Sequence, residues 1–172
     1  MTGRRQLRPS PLTREAFASF GDVVDVASNA AITINQGFAE RVNDLARIET
    51  VGKTAKVNVS VFTARFRPQP IEIRMMERHP LGSQLFYPLQ DRDWLIVVCA
   101  DPCKPESYRA FRASGRQGVN YARNVWHHPL LVLSNNEQFF VVDRGDVSTP
   151  PANNLEEFWL DESSWLHLSQ EG

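Results

Sequence analysis

Seven consecutive apolar residues, 94–100 (WLIVVCA), stand between Asp91-Arg92-Asp93 and Asp101-Pro102. The run has the length of a strand and is far shorter than the roughly 20 residues of a membrane-crossing helix. An uninterrupted apolar run of this size predicts a strand buried on both faces. Residues 56–66 show the other strand pattern, alternation. Val57, Val59, Val61 and Thr63 fall on one side, and Asn58, Ser60, Phe62 and Ala64 on the other. The alternation does not say which side faces inward. Turn-forming residues mark further short strands at 5–9, 22–26, 84–89, 107–112 and 154–161. Residues 130–133 and 139–143 are expected to pair as a hairpin across Ser134-Asn135-Asn136-Glu137. One short helix is expected over 14–20, capped by Thr13 and ended by Gly21. Residues 38–47 have no clean period and read as irregular. In the tail, Trp165 and Leu168 suit an amphipathic turn or a subunit contact. Long helices are absent, which argues against parallel β/α folds and for an all-β sandwich or barrel. A length of 172 residues predicts one domain over 1–172.

The chemistry concentrates in residues 71–89 (IEIRMMERHPLGSQLFYPL). On one continuous strand, Ile71, Ile73, Met75, Glu77 and His79 share a face. That face begins as apolar core and ends in a carboxylate and an imidazole. Burying even a neutral polar group without a partner costs roughly 2–7 kcal/mol. The pair therefore calls for a partner: each other, a metal ion or a substrate. Pro80-Leu81-Gly82-Ser83 has turn composition and Gln84 opens the next strand, giving E-x-H-x4-Q. A second block, Asn124-Val125-Trp126-His127-His128, follows a polar loop and precedes an apolar strand. Three of the four histidines thus fall in two short stretches. His128 alternates away from His127, and His167 in the tail reads as structural or solvated.

The two blocks resemble the paired cupin motifs, H-x-H-(x3–4)-E and P-x-G-x-x-H. Glu77 stands at the first motif His, His79 at the second, Gln84 at the Glu and His127 at the last His. Asn124 replaces the motif Gly, a tolerable exchange because Asn enters the left-handed region readily, and Ala122 replaces the Pro. The resemblance implies a cupin-like double-stranded β-helix, a jelly-roll barrel with the site at its mouth. Asn35-Gln36-Gly37, Asp44-Leu45-Ala46, Asn58-Val59-Ser60-Val61-Phe62, the stretch 76–84, Val125-Trp126-His127-His128-Pro129-Leu130 and Val141-Val142-Asp143-Arg144 are similar to the signature blocks of the ureidoglycolate lyase family. This resemblance implies cleavage of ureidoglycolate to glyoxylate and urea in allantoin catabolism. It also implies a homodimer, and nickel as a candidate metal. The residues themselves leave two readings open. Glu77, His79, Gln84 and His127 suit a divalent metal, with Gln84 the weakest ligand; or they act directly as acid, base and hydrogen-bond donors. Rival readings are another small-molecule cupin metalloenzyme and a non-catalytic carboxylate-binding cupin.

A carboxylate substrate calls for a guanidinium, which binds it bidentately. Arg41, Arg65, Arg78, Arg123 and Arg144 are candidates, with Arg41 the first choice because it lies near the presumed mouth. Asn58, Tyr121 and Trp126 complete the expected substrate-binding set. Asn58 belongs there if its strand face is the inner one, and the two aromatics flank the second motif. A net charge of −1 with both signs interspersed argues against nucleic-acid or membrane partners. Cys99 and Cys103 form C-x3-C without a second pair, so free thiols in a reducing cytoplasm are expected. The first residues carry no apolar stretch of signal-peptide type.

Overall fold

The computed structural model describes residues 5–27 and 30–170. Strand Trp94–Cys99 is buried at every position because a core lies on each side of it. Trp94, Ile96 and Val98 enter one cluster with Phe86, Val119, Phe139 and Val141. Leu95, Val97 and Cys99 enter a second with Ile71, Ile73, Leu166 and Leu168. The first cluster fills the space between two antiparallel sheets. One runs Glu156–Trp159, Met75–Arg78, Trp126–His127, Trp94–Cys99, Tyr108–Ala113, with Ser10–Pro11 added in parallel at its edge. The other runs Gly21–Val24, Gly118–Tyr121, Gln84–Pro88, Glu137–Asp146, Ala55–Ala64. The second cluster lies under a three-stranded sheet of Gln6–Leu7, Leu166–Leu168 and Ile71–Ile73. The architecture is all-β, with the two antiparallel sheets packed face to face as in a jelly roll. Its short N-terminal helix, Arg14–Phe17, is capped by Thr13, whose Oγ1 accepts from the Ala16 N–H at 3.2 Å. No helix among the described residues is long and apolar enough to cross a membrane. Cys99 is buried, Cys103 is exposed and both are free thiols.

The stretch 71–89 does not keep one phase. Ile71–Ile73 pairs with Leu166–Leu168, whereas Met75–Arg78 pairs with Glu156–Trp159 and Trp126–His127. The chain changes sheet at Arg74, and the alternation slips by one residue there. Ile71, Ile73 and Met76 therefore share the second core, while Glu77 takes the opposite side of its strand. An extra residue at a sheet switch re-aims every side chain after it, as a bulge does.

The expected hairpin across 134–137 is also replaced. Leu131–Val132 pairs with Trp94–Cys99, and Glu137–Asp146 pairs with Ala55–Ala64 and Gln84–Pro88. The turn carries the chain from one sheet to the other, so Val132 and Phe139 meet across the first core. The Glu137 carboxylate pins this crossing by accepting from the Ser134 N–H at 3.0 Å and its hydroxyl at 2.6 Å. Within 38–47, Ala39–Arg41 forms a strand against Ile32–Ile34. The left-handed turn Asn35, Gln36, Gly37 (φ 53, 55 and 94°) closes that pair. In the tail, Leu166 and Leu168 seal the second core, so Leu168 is neither on a surface turn nor a subunit contact.

Strand Ala55–Ala64 is the outer edge of its sheet. Its polar side faces inward: Asn58 Nδ2 donates to Asp143 Oδ1 at 2.9 Å, and the Phe62 ring meets Phe86 at 5.6 Å. Val57, Val59 and Val61 face outward and are 56%, 59% and 53% exposed.

Phe139→Ala removes a fully buried ring from the first core and is expected to cost about 3–5 kcal/mol in urea unfolding. Gly21 has φ +140°, and a Cβ there would lie 1.9 Å from the Asn120 carbonyl oxygen, whereas a Cβ at Gly37 (φ +94°) meets nothing within 4 Å. Gly37→Ala should cost only the left-handed strain of about 1–2 kcal/mol, and Gly21→Ala clearly more. Equal losses would mean that the close approach at Gly21 has no energetic weight.

Candidate active site

The registers of three adjacent strands bring the two motifs together. Val98 pairs with His127, and His127 pairs with Glu77. The turns that end the motifs are joined too: the Asn124 N–H donates to the His79 carbonyl at 3.1 Å. Asn124 has φ 68°, the left-handed conformation that the motif Gly would supply. On the other side of the His79 turn, Asn154 Oδ1 accepts from the Leu81 N–H at 2.7 Å.

Glu77, His79 and His127 each present one ligand atom, and these atoms all lie within 4.8 Å of one another. His127 Nε2 is 3.5 Å from Glu77 Oε1, and the two imidazole centroids are 5.3 Å apart. Backbone carbonyls fix both tautomers. His79 Nδ1 lies 2.7 Å from the Asn154 carbonyl oxygen, and His127 Nδ1 lies 3.0 Å from that of Val125. A carbonyl only accepts, so each Nδ1 carries the hydrogen and each Nε2 keeps a lone pair. Both Nε2 atoms are buried and without a hydrogen-bond partner. Gln84 is oriented in the same way. Its Nε2 donates to Asp143 Oδ2 at 3.5 Å, which turns Oε1 away; that oxygen is also buried and unpartnered.

Burial alone would raise the Glu77 carboxyl, but the His127 imidazole beside it and the charges of His127, His79 and His128 outweigh burial and hold it below the usual carboxylate range. Burial, then the neighbouring His127, lowers the pKa of His79, against the opposing pull of the Asn154 carbonyl, Glu77 and Gln84. The pair is thus poised as an ionised carboxylate beside a neutral imidazole at pH 7. Three acceptor atoms so close together favour a shared proton or a cation among them. The donor set of two imidazoles and one carboxylate suits a divalent transition metal. The carbonyl-anchored Nδ1 atoms supply the outer hydrogen bonds that such ligands ordinarily make.

Glu77 and Gln84 reach a cavity of about 450 Å³, also lined by Phe62, Phe86, Leu130, Arg65 and Arg67. A neighbouring cavity of about 470 Å³ shares Arg67 and Pro68 as a wall and is lined by Met75, His128 and Trp159. His128 is buried, and burial followed by the Arg67 charge pushes its pKa down to about 4.

The structure therefore brings Glu77, His79, Gln84 and His127 together, with Asn58 behind Gln84 through Asp143. Of the other expected binding residues, Arg65 lines the cavity and the rest do not. Tyr121 stacks flat behind His127, at 4.1 Å and 9°. Trp126, next to His127 on the strand, points the other way, to Phe158 and under the Arg78 guanidinium at 4.5 Å. Arg41 is exposed at the end of its hairpin strand and does not line the cavity. Arg78 is paired with Glu156 at 2.6 Å, and Arg144 with Asp146 at 2.7 Å. Arg123 is exposed. Sequence reasoning missed Asp143, Asn154 and Arg67. Asp143 lies in a quoted block but shows its role only through strand register. Arg67 lies in a proline-flanked connector that reads as a break, and Asn154 opens a stretch that reads as strand, whereas the strand begins at Glu156 and leaves Asn154 free to hold the His79 turn.

The ureidoglycolate lyase family matches residues 4–167. The chain is 49% identical over 156 residues to a ureidoglycolate lyase of Brucella anthropi, covering 90% of each chain. It is 51% identical over 154 residues to ureidoglycolate lyase 1 of Rhizobium meliloti, covering 89% of this chain and 88% of that one. A ureidoglycolate lyase of Stutzerimonas stutzeri is 44% identical over 166 residues, with 95% of both chains covered. Among solved structures, a mutant of Bacillus subtilis oxalate decarboxylase OxdC aligns with a TM-score of 0.37 and 13% identity, over 65% of this chain and 29% of that one, too slight a likeness to carry an argument. Matched from its first strand to its last by the family and by relatives of nearly its own length, the chain belongs to the ureidoglycolate lyase family.

Proposed function

We propose that this chain cleaves ureidoglycolate to glyoxylate and urea, as a cytoplasmic step of allantoin catabolism. The observation that carries the reading is the convergence of Glu77, His79 and His127, two of them with free Nε2 lone pairs, beside a cavity sized for a small anion. The substrate has one carbon bearing a hydroxyl, a carboxylate and a ureido nitrogen. Removal of the hydroxyl proton lets the C–O bond become a carbonyl while the C–N bond breaks. The departing nitrogen takes a proton and leaves as urea, and no water is consumed. His79, neutral and aimed by Asn154, accepts the hydroxyl proton at Nε2 or passes that role to Glu77. That proton passes on through Glu77 and His127, 3.5 Å apart, and His127 hands it from Nε2 to the departing nitrogen, so the hydroxyl proton leaves with urea. Gln84, turned by Asp143, presents Oε1 to a substrate N–H or O–H. Proton transfer of this kind is worth typically 10²–10⁴-fold.

Glu77, His79 and His127, with Gln84 as a neutral fourth donor, would also hold a divalent cation, nickel by family resemblance. When bound, it would supply positive charge that lowers the pKa of the substrate hydroxyl. The unpartnered Nε2 atoms support this use of the same residues.

The outer face of Ala55–Ala64 supports a homodimer. Val61 lies opposite Phe140 and Val59 opposite Val142, and the exposed valines continue along an unpaired sheet edge. A long apolar edge of this kind is an association site, and a strand meeting its own copy antiparallel about a two-fold axis is self-complementary.

His79→Ala and His127→Ala should each lower kcat/KM for glyoxylate release by roughly 10²–10⁴ while thermal unfolding stays within a few degrees of the parent. Unchanged kcat/KM in either variant would remove that residue from the chemistry. Chelation should abolish glyoxylate release and a divalent ion restore it, with metal retention, read by mass spectrometry, lost in His127→Ala; full activity of metal-stripped protein would leave direct acid–base use of these residues. Val59→Glu should shift the chain to monomer in light scattering without loss of the fold, and an unshifted mass would place the contact elsewhere.

A further inference from the structure

Arg67 follows strand Ala55–Ala64 and stands in the wall between the two cavities. Its side chain is partly buried. Among the described residues its guanidinium has no hydrogen bond or ion pair; the one bond at this residue is the Gln69 side chain donating to the Arg67 carbonyl. Partly burying a guanidinium without a carboxylate is costly. That cost shows in its pKa, which burial lowers while the Glu77 charge pulls it back up. Glu77 is thus near enough to be felt, yet does not neutralise Arg67 by contact. The other arginines of the molecule's site region are differently placed. Arg78 and Arg144 are tied to Glu156 and Asp146, and Arg65 lines the same cavity from an exposed position.

An anion entering this cavity meets the ionised Glu77. It therefore needs a cation that the protein has not already committed. We infer that Arg67 is the carboxylate clamp of the site, gripping the α-carboxylate of the substrate so that the hydroxyl and the ureido nitrogen face Glu77, His79 and His127. This inference rests on the lyase reading for the identity of the substrate, but not for the anion site itself. The fork of the guanidinium matches a carboxylate in two parallel N–H···O bonds. Phe62, Phe86 and Leu130 on the surrounding wall exclude water and strengthen that pairing. Arg67 is on this account a binding and positioning residue that contacts the substrate away from the breaking bond.

The two products separate a clamp from a structural role, because glyoxylate is an anion and urea is neutral. In Arg67→Gln the inhibition constant for glyoxylate, and KM for ureidoglycolate, should rise at least tenfold. Inhibition by urea should change less than threefold, and Arg67→Lys should recover part of the loss. Arg123→Gln, exposed and away from the cavity, should leave glyoxylate inhibition within threefold of the parent. Unchanged glyoxylate inhibition in Arg67→Gln, or equal weakening for urea and glyoxylate, would overturn the clamp. Calorimetric titration of glyoxylate into the parent chain and Arg67→Gln reads the same contact without turnover. Arg67-dependent glyoxylate binding by a chain that released no glyoxylate from ureidoglycolate would uphold the clamp and reject the lyase reading.

Discussion

The structure turns on covering both faces of Trp94–Cys99 at once. A strand with Ile96 and Val98 on one side and Leu95 and Val97 on the other has no face to give to water. The facing sheet supplies one cover. The three-stranded sheet of Gln6–Leu7, Leu166–Leu168 and Ile71–Ile73 supplies the other. Because Ile71–Ile73 belongs to the second cover and Met75–Arg78 to the central sheet, the chain must change layer between them. That change at Arg74 turns Glu77 toward His127, its register partner. The packing demand of one apolar strand thus sets the aim of the Glu77 carboxylate two strands away.

The site is built by spending backbone carbonyls on imidazoles. Asn154 and Val125 each take an Nδ1 hydrogen, so both Nε2 atoms stay bare inside a buried space. Asp143 does the equivalent for Gln84. The result is a concentration of acceptors around one point, a pattern that costs stability in the absence of a proton, a cation or a substrate. Electrostatics follows from the same closeness: the histidines hold Glu77 ionised while burial keeps His79 neutral. On the far side of the cavity the charge has the opposite sign, with Arg67 and Arg65 on the wall. The cavity thus has a carboxylate on one wall and guanidinium groups on the other.

The inside-out character of Ala55–Ala64 belongs to the same logic. Its inner face carries Asn58 because Asp143 and Gln84 need a polar neighbour there. The valines are left outside, where burial requires another surface. A strand that turns its polar side to the site leaves its apolar side exposed.

Local patterning determined a good deal. The doubly buried strand, the capped turn at Thr13, the left-handed Asn124 and the E-x-H-x4-Q spacing are properties of adjacent residues, since strand period and turn conformation are set within a few positions. Glu77, His79, Gln84 and His127 were legible for that reason. Tertiary structure decided what depends on which sheet a segment joins. The phase slip at Arg74, the outward turn of Trp126, the partners of Leu131–Val132 and the inward side of Ala55–Ala64 all follow from layer assignment, and layer assignment is a contest between distant surfaces for the same core. Arg67 illustrates the limit. It lies beyond the last residue of a regular strand, where alternation has no force, and only the cavity closing around it makes it more than one arginine among many.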